Sequence, residues 1–447
     1  MIRCALAILF IFITYEGFFL FPESIRIPVK GVFRLKDAIF LISPLFLLFS
    51  LQHVIRSVSE DKEARLILAG VLLIVFNPLM AQMYFGQPYL TGLMGYRHSL
   101  FYLLFFVLGA MIRDEPDLVR FCRTMAVLVF AYLVLLVLTR SDPHLGIIHY
   151  DQNWYERDSL VRYGGRRMFF PFGMVYILFY FIALADYTST GGPRSGFQRY
   201  FLPLFHLNFA RSVLLTGTRI FIFLLPMASL LAVWNSRRRW FIMAGLALTL
   251  AVSQGISLAR SGGNWEATKL GQLFSATPSI EKETGRSMQN RICFENFLKS
   301  PVLGVGSLID SKSPSGDLQK YGFFNCPDIG FGKIAAEYGV LGLLWVLWLF
   351  VHVFKKTGAI IREGGGQGGY SVTVARGLRY FYVMLALSLF NLNHFHAFDS
   401  IPVIALSLVL LRTAGKGAPP GPELPVPARQ LKTRARAGAA ILDTERA

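Results

Sequence analysis

Residues 285–306 read GRSMQNRICFENFLKSPVLGVG, and residues 328–342 read DIGFGKIAAEYGVLG. Both belong to one hydrophilic, basic excursion from Trp265 to about Tyr338, with an apolar run before it and another directly after. A polar segment of this length between two apolar runs is more than a connector. It reads as the place where a membrane-embedded chain meets its substrate.

The sequence around the excursion supports that frame. The chain is 54% hydrophobic and only 16% charged, whereas soluble domains carry roughly 25% charged residues. A helical span needs about 20 mostly apolar residues, and the chain offers about twelve such runs. Backbone groups in lipid must be satisfied internally, so these runs are expected as helices. The short alternating segments of a β-barrel are absent. The expected fold class is all-α: a polytopic integral membrane protein with about twelve transmembrane helices and one large extracytoplasmic loop between the ninth and tenth. Residues 1–412 form the transmembrane domain, including outer loops 140–167 and 259–338. Residues 413–447, rich in Pro, Ala and Arg, are expected as a disordered cytoplasmic tail. The segment from Met1 to Phe21 lacks a small-residue cleavage site and reads as an uncleaved first span. Asn77-Pro78 is expected to kink the third span, Arg113–Arg123 reads as a cytoplasmic loop, and the tenth span starts between Phe331 and Val340.

Net charge is +18. Part of it is positive-inside bias. Placing Arg237–Arg239, Lys355–Lys356 and the tail inside puts both termini inside. The loops 140–167 and 265–338 and the turn Thr216-Gly-Thr-Arg219 then lie outside. The first outer loop, with Arg26, Lys30, Arg34 and Lys36, runs against the rule, as does Arg140–Arg167. Either the span count is off by one in the first half, or these charges serve an anion at the outer face. Nucleic acid is a poor partner for loops held between spans.

Several residues carry candidate chemistry, each with a plainer alternative. Arg219 follows a Thr-Gly-Thr turn at the outer end of a span. It either snorkels to headgroups or forks onto phosphate oxygens. Arg286 and Arg291 precede a short amphipathic helix in which Glu295 follows Arg291 by one turn; a surface i,i+4 pair is the bland reading. Arg166 and Arg167 sit where interfacial anchors sit. Pro301-Val-Leu-Gly-Val-Gly306 is a turn whose glycines permit close backbone approach, and no Gly-Lys-Ser/Thr follows it, so no ATP use is implied. Asp328 is either a helix N-cap or a general base for a hydroxyl. His394 and His396 compete for that role, without the further ligands a metal site needs. Cys293 and Cys326 are either a disulfide pair or two thiols.

In combination these features resemble a family. Thr-Gly-Thr-Arg219 before a span, Arg291 ahead of Ser-Pro-Val-Leu-Gly-Val-Gly306, and Asp328-Ile-Gly-Phe before Glu337-Tyr-Gly-Val-Leu-Gly342 are similar to the O-antigen ligase and O-antigen polymerase superfamily. The resemblance implies a metal-independent, cofactor-free glycosyltransferase at the outer face of the bacterial inner membrane. Its donor would be an undecaprenyl-diphosphate-linked glycan and its acceptor a glycan or lipid. Membrane lipids and a chain-length regulator are the further implied partners; nucleic acid is not one. In such proteins outer-side arginines hold the diphosphate, which maps here onto Arg219, Arg286 and Arg291. From the chemistry of the transfer, Arg219 and Arg291 are expected to grip the diphosphate and Asp328 to act as base, with Arg286, Arg166, Arg167, Glu295, His394 and His396 as substrate contacts. Ligases of this kind carry a His-Asn pair where this chain has Asp328-Ile329. A repeat polymerase is therefore the first expectation, a ligase the second. A transporter is the rival from another class, although transporters commonly show repeat-related halves, and none is visible here. A scaffold role has no supporting feature.

Overall fold

A computed structural model describes residues 2–21, 34–49, 51–141, 148, 161–162, 165–166, 173–189, 195–216, 225–230, 280–308, 330–364, 369–389 and 400–417. The helices are α1 (Ile2–Thr14), α2 (Ala38–Phe49), α3 (Leu51–Glu60), α4 (Lys62–Phe85), α5 (Tyr89–Gly95), α6 (Leu104–Met111), α7 (Glu115–Ser141), α8 (Gly173–Thr188), α9 (Leu202–Thr216), α10 (Ile280–Lys299), α11 (Gly330–Glu363), α12 (Tyr370–Ser388) and α13 (Ile401–Gly417). Among the described residues, extended structure is confined to an antiparallel pair that sets Val161 opposite Arg166 and Arg162 opposite Gly165.

Burial sorts the helices. α8 is buried all round from Met174 to Ala185, and α13 from Ile401 to Leu411. Helices apolar on every side belong at the centre of a bundle. α12 packs against α8, α11 and α13 and joins them into one core. α4 and α11 lie at the periphery: Leu72, Phe76, Leu79 and Met83 on α4 and Leu344, Leu347 and Val351 on α11 are exposed. An apolar face left outward is what a helix bordering lipid presents.

Among the described residues, three helices can cross a membrane by length and composition: α4, α7 and α11. A fourth candidate is α5 together with Arg97–Met111, bent by 64° at the break. α1 and α8 are apolar but shorter. The chain is thus a helical membrane protein, and the expected count of twelve is not established by these elements.

The helix boundaries correct several expectations. The Arg113–Arg123 segment is not a loop: α7 begins at Glu115, with the Asp114 carboxylate accepting the Asp117 N–H at 2.9 Å as its cap. The long excursion is not all loop, because α10 fills twenty residues of it. A 3₁₀ segment, Arg97–Leu103, leads into α6. Pro78 lies within α4, and the helix continues to Phe85. α13 runs on to Gly417 with Thr413 and Ala414 buried; residues 418–447 fall outside the described set.

Polar groups gather at two opposite ends, as alternating spans require. At one end Glu63 of α4 accepts from Lys356 and lies 2.9 Å from His352, both on α11. There Arg412 also pairs with Asp61. We call this the Glu63 end. The other end holds the C-termini of α1 and α4 and the start of α11. There the chain leaves α1 through a left-handed turn, with φ of 52° at Glu16 and 63° at Gly17. The turn buries Glu16 3.1 Å from Lys36 and 3.7 Å from Arg34. Two of the four basic residues that run against the positive-inside rule are therefore matched by a carboxylate. Arg26 and Lys30 lie outside the described residues.

Candidate functional site

α11 is two helices joined at a break. Gly339 has φ 63° and ψ −158°, outside any helix. A break at a buried residue of a helix frees carbonyls on one side and N–H groups on the other, and these must be satisfied. Residues 300–308, the strap, supply the partners. The N–H of Val305 donates to Ala336 O at 2.9 Å, and the N–H of Gly306 donates to Glu337 O at 3.2 Å. In the other direction Val340 N–H donates to Pro301 O at 2.7 Å, and Leu341 N–H to Val302 O at 3.2 Å. One short loop thus caps the end of the first half-helix and the start of the second.

The glycines make this approach possible. Gly304 and Gly306 have φ of +74° and +81°, where only glycine sits without cost. A Cβ on Gly304 would stand 2.3 Å from the Glu337 carbonyl carbon, and one on Gly306 2.3 Å from the Ala81 nitrogen. α4 completes the joint. Asn77 donates through Nδ2 to Glu337 O and accepts from Ser307 N–H through Oδ1, each at 2.9 Å. Gln87 Nε2 donates to Ser307 O at 3.2 Å, and the Tyr96 hydroxyl donates to Leu308 O. Asn77 therefore serves as a bracket beside Pro78. Sequence reading singled out both glycine motifs, yet the interlock joining them to Asn77 is formed across some 220 to 260 residues.

Two charged groups flank the strap. Lys333 and Glu337, one turn apart on the first half of α11, are both buried with 3.7 Å between charges. Beyond Tyr96, Arg97 forks onto Asp37, Nε to Oδ1 at 2.9 Å and Nη2 to Oδ2 at 3.1 Å. The Arg34 N–H donates to the same carboxylate at 2.8 Å. Burial pushes the Asp37 carboxyl up, but hydrogen bonds from His98, Arg97 and the Arg34 backbone overcome it and hold the group far below the usual carboxylate range. Burial pulls Lys36 down, against the Glu16 carboxylate beside it. Of these residues, sequence reading had named Arg34 and Lys36 as outer-loop charges and Glu337 as part of a glycine motif. Asp37 and Arg97 carry no local motif; only their convergence marks them.

The anticipated residues divide as follows. Arg291 and Glu295 lie on α10, which packs against α11. Their side chains meet at 2.8 Å and are 81% and 53% exposed. As found, they form the surface i,i+4 pair. Arg286 lies in α10 and Arg166 in the short hairpin, each placed by its main chain. Asp328, Arg219, Arg167, His394 and His396 lie outside the described residues. Cys293 is buried with Val305 and Ala336 beneath the strap, and Cys326 is outside the described set, as is any pairing between them.

The strap and the break form a hydrogen-bonded backbone joint in the first half of α11, where α10 packs against it. A comparison with curated proteins finds no match. Residues 204–347 match the family Wzy_C, described as O-antigen ligase, and this segment, which contains Arg219, Arg291, the strap and the Gly339 break, gives the chain an O-antigen ligase-like domain and supports its place in the O-antigen ligase and polymerase superfamily.

Proposed function

We propose that this protein is a glycosyltransferase of the bacterial inner membrane that polymerises undecaprenyl-diphosphate-linked oligosaccharide repeats at the outer face. The observation that carries the proposal is the family match over residues 204–347, which contains the cationic excursion and the strap in one continuous segment. In this reading the acceptor hydroxyl oxygen attacks the anomeric carbon of the donor sugar. The bond from that carbon to the diphosphate oxygen breaks, and undecaprenyl diphosphate leaves with the bonding pair. The hydroxyl proton passes to the Asp328 carboxylate. Arg219 and Arg291 neutralise the charge gathering on the leaving diphosphate; arginine forks suit phosphate oxygens, and preorganised cations lower such barriers most where water is scarce. The donor carries its own leaving group, so no nucleotide is consumed. Arg286, Arg166, Arg167, Glu295, His394 and His396 remain proposed contacts with the glycan or its carrier.

A ligase transferring the finished glycan to a lipid or other acceptor is the second reading, and the family description itself favours it. Asp328-Ile329 in place of the expected His-Asn pair favours the polymerase. Glycan analysis of a deletion strain separates them. Single-repeat capping supports the polymerase, and full-length polymer left on its carrier supports the ligase. Purified protein given labelled lipid-linked oligosaccharide tests the class: movement across the bilayer without new glycosidic bonds would identify a transporter instead.

A further inference from the structure

α10 has two faces. Cys293, Asn296 and Ser300 are buried toward the bundle. Arg291, Phe294, Glu295 and Leu298 fall at i, i+3, i+4 and i+7, the spacing of one helical face, and all four are exposed. Phe294 is 61% exposed and Leu298 57%. Two large apolar side chains on a charged face are costly to leave in water, at about 25 cal/mol per Å².

The surroundings say what covers them. Val302 and Leu303, directly after α10, are also exposed. The Val302 carbonyl accepts from Leu341 N–H at 3.2 Å, so this patch continues into Val340, Leu341, Leu344 and Leu347, the outward stripe of α11. Val302 thereby stands beside the first residues of the second half of α11, the half that runs to Lys355 and Lys356 at the Glu63 end. On the flank, the Tyr84 hydroxyl at the end of α4 donates to Lys299 O at 3.2 Å, next to exposed Met83. α10 thus sits at the level where spans end.

We infer that the Arg291 face of α10 is a membrane-surface anchor, with Phe294 and Leu298 set into the boundary between acyl chains and headgroups. Its partner is the bulk phospholipid leaflet. Arg291, on the same face, gives one of its five donors to Glu295 and stands at headgroup level, where the diphosphate proposed for it above also lies. Monotopic helices bind in this way, by buried apolar area plus attraction to anionic headgroups. The anchor holds the strap end of α11 against the leaflet without crossing it. The inference does not depend on the transferase reading.

The test uses the full chain in phospholipid nanodiscs, with an environment-sensitive fluorophore introduced by an unnatural amino acid at position 294 or 298. Nitroxide on the lipid chains near the headgroup should quench both labels severalfold more strongly than aqueous iodide. The result should be the same with and without added undecaprenyl diphosphate. Iodide quenching both labels as efficiently as it quenches the free fluorophore would overturn the proposal. Lipid quenching that appears only with undecaprenyl diphosphate would also overturn it, assigning the face to the carrier rather than the leaflet. A second variant, Phe294→Asp/Leu298→Asp with the label at position 291, should gain iodide access severalfold; unchanged quenching in the folded double variant would count against the anchor.

Discussion

The two polar ends of this bundle are built from different materials. At the Glu63 end, side-chain charges hold α3, α4, α11 and α13 together: Glu63 with Lys356 and His352, and Arg412 with Asp61. A cavity of about 420 Å³ opens there between Asp61, Lys62, His352 and Lys355. The other end has charge pairs too, Glu16 with Lys36, Asp37 with Arg97 and Lys333 with Glu337, but what joins the strap to α11 and α4 there is main-chain hydrogen bonds among residues 301–308 and 336–341, with the Asn77 side chain. Charge pairs tolerate small changes of geometry and respond to salt. A backbone interlock is insensitive to salt and intolerant of a single added carbon. The difference suggests that the strap end keeps a fixed shape, as a platform for chemistry should, whereas the Glu63 end is a fastening.

The sharpest way to break the contrast is to add a Cβ to the strap. Gly304→Ala or Gly306→Val should cost about 3 kcal/mol or more, from a forced left-handed side chain and a backbone clash. Unfolding measured by steric trapping in bicelles should show it; a shift below about 1 kcal/mol would mean the strap is loose. Next is Glu63→Ala, which leaves Lys356 and His352 facing each other at the opposite end. It should cost about 3 kcal/mol and, unlike the glycine changes, should vary with salt. Asn77→Ala removes both bracket hydrogen bonds and should cost about 2 kcal/mol, the same at low and high salt.

Acid sharpens the comparison differently. Asp37 has a lowered folded value, so its contribution is present above the ordinary carboxylate range, near pH 4, and is lost as pH falls below it. The wild type should lose stability from about pH 4 downward, and Asp37→Asn should show a shallower acid slope. An identical slope would remove the Asp37–Arg97 fork from the account. The smallest stability effect is expected for Arg291→Ala, under about 0.5 kcal/mol, because the pair is at the surface. Polymer length in a deletion background should nonetheless collapse with this variant if Arg291 grips diphosphate; full-length polymer with Arg291→Ala would exclude it from the mechanism.

The parts of this molecule legible in the sequence are those dictated by solvent. Long apolar runs in a chain with 16% charged residues must be helices in lipid, because no other local structure satisfies the backbone there. The glycine motifs at 301–306 and 337–342 stood out because their composition departs from any span. Local composition also marked Arg291 and Glu295 as an i,i+4 pair. It did not reveal that α7 begins at Glu115, since charged first-turn residues look like a loop until an N-cap is seen to use them. Nor did it pair Glu16 with Lys36, or Asp37 with Arg97, across 20 and 60 positions (36 − 16 and 97 − 37).

What remained for tertiary structure was the meaning of the glycines. By itself the sequence determined that the chain belongs in a membrane and that its polar excursion is the exceptional part. It could not determine that the Pro301–Gly306 turn would splice a broken helix, because hydrogen-bond partners for groups freed at Gly339 come from wherever the fold brings a backbone within about 3 Å. Composition is read residue by residue, whereas the satisfaction of a buried N–H or carbonyl is settled only when distant segments meet.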